Sequence, residues 1–591
     1  MRARSTALLF SALLTAGIAT AAPTDADPAG YTTQLLYLSV WTGPDNATQC
    51  TIEGELFVPN GLSPSNRAPA SLTTNGFGGS YHNQVPAAQM LADYGYVTLA
   101  YSGLGFGGSE CKISLDDPQY DGVAASQLVS FLGGQPGIAF TDPELRNPLP
   151  ALDYVKLDAT DHNGVPAAYD PRVGMFGGSY GGGIQFSAAS VDARIDTLVP
   201  MITWNDLSYS LTPNGTSTTS GVSTAVNGAA KLLFAALLFG DGVDNPGVSG
   251  YVSDPARIPG CPNYIPFMCN AVVQAGVTGE LGPENIAHLR HASVATYMDR
   301  IKIPVLLAQG QQDTLFDLNE ATATYEALQA RGVEVKMIWH SWGHSHLQPA
   351  PGEFSLNDLN PNTQYETGRL MDWFDHYLKD SPVDTGPEFA YFRNWVSYTG
   401  NAAPAYASSA TFPVGQPRTF SLSGDRRLVA NPADARPGAQ TLVTGPGGLP
   451  TGLEPLNITP NNNNIPTVQI PGTEAMFTTD PMAEPLDVVG MPTVTLRIQS
   501  PGSPVIFAKV YDIAPDGSAN LINGLIMPVR VADPNAPVPI TLPGIVHRFD
   551  TGHSLRLVFS GGDISFRGGL LPLPVTIFAD GSGPLTLPVT G

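Results

Sequence analysis

Strand-like and helix-like patterns alternate along this chain from about residue 30 to about residue 385, which restricts the folds that it can adopt. Short apolar runs, such as residues 96–101 and 172–176, predict buried strands. Apolar residues spaced on one face predict a helix after each of these runs. Alternation of this kind predicts an α/β fold with a doubly wound, mostly parallel sheet that is covered by helices on both faces.

The alternation stops between residues 204 and 300. A polar run at residues 212–223 precedes an apolar helix near 229–238. A loop bounded by two cysteines follows, and then another helix near residues 283–298. An insertion of this length between two sheet strands predicts a helical cap over the strand ends.

The pattern changes again near residue 386, where short alternating strands are separated by Pro and Gly turns. Residues 493–498 and 554–559 are examples, and their spacing predicts an antiparallel sandwich. In chain order we expect a leader, the first part of the α/β domain, the cap, the second part of the α/β domain and an all-β domain. The bounds that we expect are 1–22, 30–203, 204–300, 301–385 and 386–591.

The first 22 residues have the three parts of a secretory signal. Arg2 and Arg4 precede a mostly apolar stretch at residues 7–18, and the sequence Ala-Thr-Ala at 19–21 offers a cleavage site. The apolar stretch is too short to span about 30 Å of hydrocarbon. We therefore expect a secreted, extracellular protein that has no membrane contact once the signal is removed.

The charge balance is strongly acidic, with 28 Lys and Arg residues against 51 Asp and Glu residues and a net charge of -23. Phosphate groups are bound by clustered cations, so nucleic acid and anionic membranes are disfavoured as partners. Four cysteines fit an oxidising compartment and allow three pairings. Cys261 and Cys269 share one Pro-rich loop, so we expect them to form one disulfide and Cys50 and Cys111 to form the other.

The sharpest local motif is Gly-Gly-Ser-Tyr-Gly at residues 177–181, which has the form G-x-S-x-G. It lies between a predicted strand and a predicted helix, as a nucleophilic serine on a strained turn requires. We expect Ser179 to be the nucleophile. The other interpretation is a glycine-rich packing turn.

A serine hydroxyl needs a base to take its proton. The loop after the strand-like residues 333–339 contains His340, His344 and His346. We expect His344 to be the base, because Gly343 before it lets the loop turn toward the serine, and His340 and His346 are the alternatives. The H-x3-H-x-H spacing could also bind a metal, but we expect no metal.

The base in turn needs a carboxylate that fixes its tautomer. Asp313 follows the strand-like residues 301–308, where that acid is expected. Asp317 is the alternative, although it could instead cap the following helix. The order Ser179, Asp313, His344 is that of α/β hydrolases.

Two N–H groups are expected to bind the oxyanion. One is the backbone N–H of Tyr180, which follows the nucleophile. The other belongs to the glycine-rich turn at residues 75–79, where we favour Phe77 over Gly78. Residues 105–109 repeat the pentapeptide Gly-Phe-Gly-Gly-Ser of the first turn, and we expect a structural role for this second copy.

Three stretches resemble the cocaine esterase / X-Pro dipeptidyl-peptidase family of α/β hydrolases. They are DPRVGMFGGSYGG at 170–182, DTLFDLNEA at 313–321 and GHSLRLVFSGGD at 552–563. The resemblance runs from about residue 35 to the C-terminus. It implies an α/β-hydrolase domain with an inserted helical cap and a C-terminal all-β jelly-roll domain of the galactose-binding-like kind. It also implies hydrolysis of esters or amides through an acyl-enzyme, without a metal or an organic cofactor.

Members of this family often donate a Tyr hydroxyl to the oxyanion, but this chain has Phe77 at the corresponding position. Either a backbone N–H replaces that hydroxyl or Tyr81 reaches the site. A dipeptidyl-peptidase also needs an acid that holds the free amine of its substrate. Asp206, which follows Trp204 by two residues at the start of the cap, could serve, and both residues are candidates for the substrate pocket. Capping of a helix is the other interpretation of Asp206.

We therefore expect a secreted serine hydrolase that cleaves a small-molecule ester or amide, or a peptide. Within enzymes the alternative is an exopeptidase that releases X-Pro dipeptides. From another class, the alternative is a non-catalytic protein that binds carbohydrate or a surface through its jelly-roll domain. We expect the cap to shape an apolar pocket, and the all-β domain to cover the catalytic domain rather than to contact the substrate.

Overall fold

The computed structural model describes residues 30–453, 468–579 and 583–590. The secretory signal expected at residues 1–22 lies outside these described residues. Among the helices of the three described ranges, none combines the length and the apolar character that crossing a membrane requires.

Thirteen of the described strands precede residue 410. Eleven of them form one sheet, while β8 and β9 form a small hairpin in the cap. Their bounds are Tyr31–Thr42 (β1), Thr48–Pro59 (β2), Ala70–Thr74 (β3), Val97–Tyr101 (β4), Ala139–Phe140 (β5), Val173–Gly178 (β6), Thr197–Met201 (β7), Thr218–Ser220 (β8), Ser223–Thr224 (β9), Val305–Gly310 (β10), Val335–His340 (β11), Phe389–Phe392 (β12) and Tyr406–Ser409 (β13).

The sheet has the strand order β13-β12-β11-β10-β7-β6-β3-β4-β2-β1-β5. From β12 through β4 every neighbouring pair is parallel, and the pairs at the two edges are antiparallel. Every residue of β3, β4, β7 and β10 is buried, because helices cover both faces of the sheet. The predicted mostly parallel sheet is confirmed.

Helices lie on the sheet and in the insertion. Their bounds are Val85–Asp93 (α1), Val123–Leu132 (α2), Tyr180–Val191 (α3), Leu207–Leu211 (α4), Leu232–Asp244 (α5), Gly247–Ser253 (α6), Phe267–Thr278 (α7), Pro283–His291 (α8), Val294–Tyr297 (α9), Leu318–Gln329 (α10) and Tyr365–Lys379 (α11). Helices α4 to α9 form the cap between β7 and β10. Helix α7 begins inside the stretch expected to be a cysteine-bounded loop and carries Cys269.

The C-terminal part is all-β. Thirteen of its described strands form one hydrogen-bonded network, which is antiparallel except for the pairing of β15 with β19. The bounds are Gln416–Leu422 (β14), Arg427–Val429 (β15), Gly438–Val443 (β16), Gly452–Leu453 (β17), Val468–Gln469 (β18), Glu474–Thr479 (β19), Leu486–Gly490 (β20), Thr493–Gln499 (β21), Val505–Ile513 (β22), Ala519–Arg530 (β23), Val538–Thr541 (β24), Ile545–Phe549 (β25), Ser554–Ser560 (β26), Pro574–Ala579 (β27) and Leu585–Thr590 (β28).

The boundary expected between residues 385 and 386 is corrected by the strand pairing. Strand β12 pairs with β11, and β13 pairs with β12, so the first sheet continues to Ser409. Strand β12 is short and apolar, while β13 has the sequence Tyr-Ala-Ser-Ser, and neither pattern separates these strands from those of the all-β part. The all-β part therefore begins after Ser409.

Two disulfides join the cysteine pairs that the sequence favoured. Cys50 on β2 is bonded to Cys111, and Cys261 is bonded to Cys269 within the cap. The first bond ties the loop after β4 to the antiparallel edge of the sheet. Disulfides of this kind are typical of proteins that fold in an oxidising compartment.

Candidate active site

The candidate nucleophile lies on a sharp turn between strand β6 and helix α3. Ser179 has φ 58° and ψ -121°, a backbone conformation that residues with a side chain rarely adopt. Glycine is needed close by, because a Cβ atom on Gly181 would lie 2.5 Å from the carbonyl oxygen of Thr74 on β3. The turn places the half-buried Ser179 side chain at the carboxyl end of the parallel strands.

Three side chains that are far apart in the sequence meet at this edge of the sheet. Nε2 of His344 lies 2.8 Å from Oγ of Ser179, and Nδ1 of His344 lies 2.6 Å from Oδ2 of Asp313. Asp313 follows β10 and His344 follows β11, so the carboxyl ends of parallel strands bring them together. This geometry allows the imidazole to accept the serine proton while the carboxylate stabilises the resulting charge.

Asp313 is fixed by several donors and is fully buried. Its Oδ1 accepts the backbone N–H groups of Leu315 at 3.0 Å and Phe316 at 2.7 Å. Its Oδ2 accepts the backbone N–H of His344 at 3.3 Å in addition to the ring contact. Because a carboxylate can only accept, Nδ1 of His344 carries the hydrogen and the lone pair of Nε2 faces the serine.

The loop that carries His344 is packed tightly against the acid. A Cβ atom on Gly343 would lie 2.7 Å from Cβ of Asp313, so only glycine fits at this position. The backbone N–H of Gly343 donates to the carbonyl of His346 at 3.0 Å, and the reverse bond has the same length. Phe316 packs edge-on against the His344 ring at 5.1 Å and limits its rotation.

The alternatives to His344 and Asp313 have other roles in the structure. His340 is fully buried and stacks on Trp342 at 4.3 Å, and burial lowers the pKa of His340 to about 3. His346 closes the turn with Gly343 through its backbone. Asp317 is the N-cap of α10, and its side chain accepts the backbone N–H of Asn319 at 3.2 Å. None of these three residues is bonded to Ser179 in the described structure.

The expected oxyanion donors lie beside the serine. Tyr180 is the first residue of α3, so its N–H has no acceptor within the helix. A Cβ atom on Gly76 would lie 3.9 Å from Cβ of Ser179, which places the turn at residues 75–79 against the nucleophile. Fully buried Asn75 donates from Nδ2 to the Gly76 carbonyl at 2.8 Å and fixes the peptide that carries the Phe77 N–H.

The second glycine-rich turn and Tyr81 do not change this assignment. Phe106 of the second turn is fully buried and packs edge-on against Phe77 at 5.1 Å and Tyr180 at 5.2 Å. Tyr81 packs with Phe57 and stacks on His82 at 4.0 Å, in a different hydrophobic cluster from Phe77. We therefore keep the N–H of Phe77 as the candidate donor.

The two expected substrate-pocket residues are buried, which corrects that expectation. Asp206 is 1% exposed, caps α4 through the N–H of Ser208 at 2.9 Å and pairs with Arg290 at 3.4 Å. Its carboxylate is therefore occupied, and the capping interpretation holds. Trp204 is 5% exposed, and its Nε1 donates to the Ala292 carbonyl at 2.9 Å. Both side chains support the cap from inside.

Sequence reasoning missed two groups that support the site. The Tyr180 hydroxyl donates to Oδ2 of Asp121 at 3.3 Å and accepts the backbone N–H of Asp116 at 3.1 Å. Burial raises the pKa of Asp121 to about 7. On the other side, Nζ of Lys231 donates to the Leu315 carbonyl at 2.7 Å. No motif marks Asp121 or Lys231, because each acts through contacts that join distant parts of the chain.

Two family models match this chain. One is described as X-Pro dipeptidyl-peptidase (S15 family) and matches residues 50–346. The other is described as the X-Pro dipeptidyl-peptidase C-terminal non-catalytic domain and matches residues 393–567. The chain belongs to the X-Pro dipeptidyl-peptidase S15 family. The resemblance expected from the sequence is confirmed, and S15 membership makes the protein a serine hydrolase, either an esterase or an X-Pro peptidase.

Solved structures share the whole fold of this S15 member. An α-amino acid ester hydrolase aligns with a TM-score of 0.62 and 15% identity, over 97% of this chain and 99% of that chain. An aminopeptidase from a marine sediment archaeon, Thaumarchaeota archaeon, aligns with a TM-score of 0.60 and 14% identity, over 96% of this chain and 98% of that chain. A CocE/NonD family hydrolase from Staphylococcus aureus aligns with a TM-score of 0.59 and 13% identity, over 97% of this chain and 99% of that chain. A search of curated proteins finds no match.

The acid assignment in this S15 member is tested with a matched pair of variants. We expect Asp313→Asn to lower kcat for an ester by about 10⁴-fold, because an amide at this position favours the wrong imidazole tautomer. Asp317→Asn makes the same chemical change on the helix cap and should lower kcat by less than about tenfold. Steady-state kinetics of both variants checks this. Equal losses in the two variants would contradict the assignment.

Proposed function

We propose that the protein hydrolyses esters through an acyl-enzyme formed on Ser179. His344 takes the proton from the serine hydroxyl as its oxygen attacks the carbonyl carbon. The imidazolium then gives that proton to the leaving alcohol, and the acyl group remains on Oγ. The observation that supports this most directly is the pair of hydrogen bonds from His344 to Ser179 at 2.8 Å and to Asp313 at 2.6 Å.

The second half of the proposed cycle reverses the proton path. Water attacks the acyl carbon, His344 accepts a proton from the water, and that proton returns to Oγ as the acid product leaves. In both halves the N–H groups of Tyr180 and Phe77 stabilise the oxyanion. Every proton moves between the substrate, water and the named side chains, so we propose that the reaction uses no cofactor.

A cleft at the junction of the cap, the loop after Asp313 and the all-β part is proposed to hold the part of the substrate that is remote from Ser179, because its lining reaches Thr314 but includes neither Ser179 nor His344. Lys231 and Phe234 of the cap line it, together with Thr314, which follows the acid. The all-β part contributes mostly apolar residues, namely Leu521, Leu525, Ile526 and Phe566. We therefore propose that the all-β part contacts the substrate instead of only covering the catalytic domain, and that the substrate carries an apolar group.

The burial and the existing bonds of Asp206 favour ester cleavage over dipeptide release. An exopeptidase must hold a charged amine, which needs an accessible carboxylate. Asp206 is 1% exposed and already bonded to Ser208 and Arg290. We also propose that the protein is exported, because both of its disulfides suit an oxidising compartment.

A substrate panel separates the two enzyme functions. We expect p-nitrophenyl esters of apolar acids to be hydrolysed at least about 100-fold faster, in kcat/KM, than Gly-Pro-p-nitroanilide, because Asp206, the carboxylate considered for the dipeptide amine, is already bonded to Ser208 and Arg290. Purified mature protein is assayed with both substrates, and Ser179→Ala is the blank. Faster release from the anilide would support the X-Pro peptidase function. A binding protein would cleave neither substrate and would not react with a fluorophosphonate.

A further inference from the structure

The two copies of Gly-Phe-Gly-Gly-Ser lie side by side in the structure. The first, at residues 76–80, follows β3 and borders the nucleophile, and the second, at residues 105–109, follows β4. Their phenylalanine rings pack edge-on at 5.1 Å. A Cβ atom on Gly107 of the second copy would lie 2.9 Å from Cβ of Ser80 in the first, so the two turns touch.

Asn245 of the cap joins the third residue of one copy to the third residue of the other. Its Nδ2 donates to the Gly78 carbonyl at 2.7 Å, and its Oδ1 accepts the Gly107 N–H at 3.0 Å. Asn245 is half-buried and follows the last turn of α5. This double contact needs a side chain with both a donor and an acceptor, which asparagine supplies.

The N-terminal end of α5 is also held, at the loop that follows Asp313. Lys231 precedes the helix, is 4% exposed and donates to the Leu315 carbonyl at 2.7 Å. The same peptide unit donates the Phe316 N–H to Oδ1 of Asp313 at 2.7 Å. Thirteen residues of α-helix span about 20 Å, so α5 reaches from the loop that follows Asp313 to the glycine-rich turn at residues 75–79.

We propose that Asn245 is a positioning residue for the oxyanion donors, an inference that rests on the proposed hydrolase function. The Phe77 N–H belongs to a short turn whose two ends are held by asparagine amides. Asn75 holds the Gly76 carbonyl from within the α/β part, and Asn245 holds the Gly78 carbonyl from the cap. Asn245 acts through the backbone of the turn and does not touch the reacting atoms.

The test uses an isosteric change. Asn245→Asp keeps an acceptor for the Gly107 N–H but loses the donor to the Gly78 carbonyl. We expect kcat for a p-nitrophenyl ester to fall by about 10- to 100-fold with KM changed by less than about threefold, because a displaced oxyanion donor costs transition-state binding alone. An alkylboronic acid, which forms a tetrahedral adduct on the serine, should bind more weakly by a similar factor.

The control makes the same change elsewhere in the cap. Nδ2 of Asn227 donates to the Leu281 carbonyl at 3.0 Å, and Asn227→Asp should keep the wild-type kcat and boronate affinity. Asn245→Ala removes both contacts and should also lower kcat. It provides the test if Asn245→Asp does not fold. The inference is overturned if the folded Asn245 variants keep kcat within about twofold of the wild-type value, or if only their KM changes. If Ser179→Ala retains wild-type turnover, the proposed hydrolase function fails instead.

Discussion

Ser179→Ala should abolish ester hydrolysis while leaving the protein folded. The hydroxyl is the only group at this position that can form the acyl-enzyme, so we expect kcat to fall by about 10⁶-fold, to the level that binding and the oxyanion donors alone support. The Ser179 side chain is half-buried and caps no backbone group of α3, so its loss should change the melting temperature little.

The control for this prediction lies on the same helix. Ser190 is buried near the end of α3, and its Oγ donates to the Ser187 carbonyl at 2.8 Å. Ser190→Ala should keep activity. Labelling with a fluorophosphonate reports the nucleophile directly, and it should mark the wild type and Ser190→Ala but not Ser179→Ala. Labelling of the Ser179 variant at the wild-type rate would refute the assignment.

His344→Ala should be comparably severe. Without the imidazole, no base lies within hydrogen-bond distance of the serine oxygen among the described contacts, and we expect kcat to fall by about 10⁶-fold. His346→Ala removes a neighbouring histidine from the same loop and should cost less than about tenfold, because the turn uses the backbone of residue 346.

The same two variants distinguish the possible bases. The rate of ester hydrolysis by each variant is measured beside the wild type with the same substrate. His346→Ala should retain most of the wild-type rate, whereas His344→Ala should retain only a residual rate. If only His346→Ala lost activity, the base would be misassigned.

Most of the α/β part could be predicted from the sequence, because its strands are continuous apolar runs and its helices have one apolar face. Helix α3 begins at Tyr180 as expected, and β10 and β11 each end within two residues of the position expected from the sequence. The first hairpin was harder to predict. Residues of β1 alternate between buried and exposed or are exposed in succession, so the strand shows no continuous apolar run.

The three residues of the proposed triad could be selected from the sequence because each lies shortly after the carboxyl end of a strand, namely β6, β10 and β11. Groups that act through tertiary contacts could not. Lys231 and Asn245 reach residues more than 80 positions away, and no local pattern marks them. For Asp206 the sequence leaves two roles open, a substrate-pocket acid and a helix cap, and the structure shows Asp206 as the N-cap of α4.

The attachment of helix α5 at both ends bears on how substrate preference can be altered. Side chains of this helix cannot be exchanged freely, since a shift of its axis would disturb Leu315 at one end and Gly78 at the other. Leu525 and Ile526 line the same cleft from strand β23, and their apolar side chains form no hydrogen bonds. With the substrate in this cleft as proposed, directed evolution toward new substrates should begin at Leu525 and Ile526, which are not tied to either end of α5.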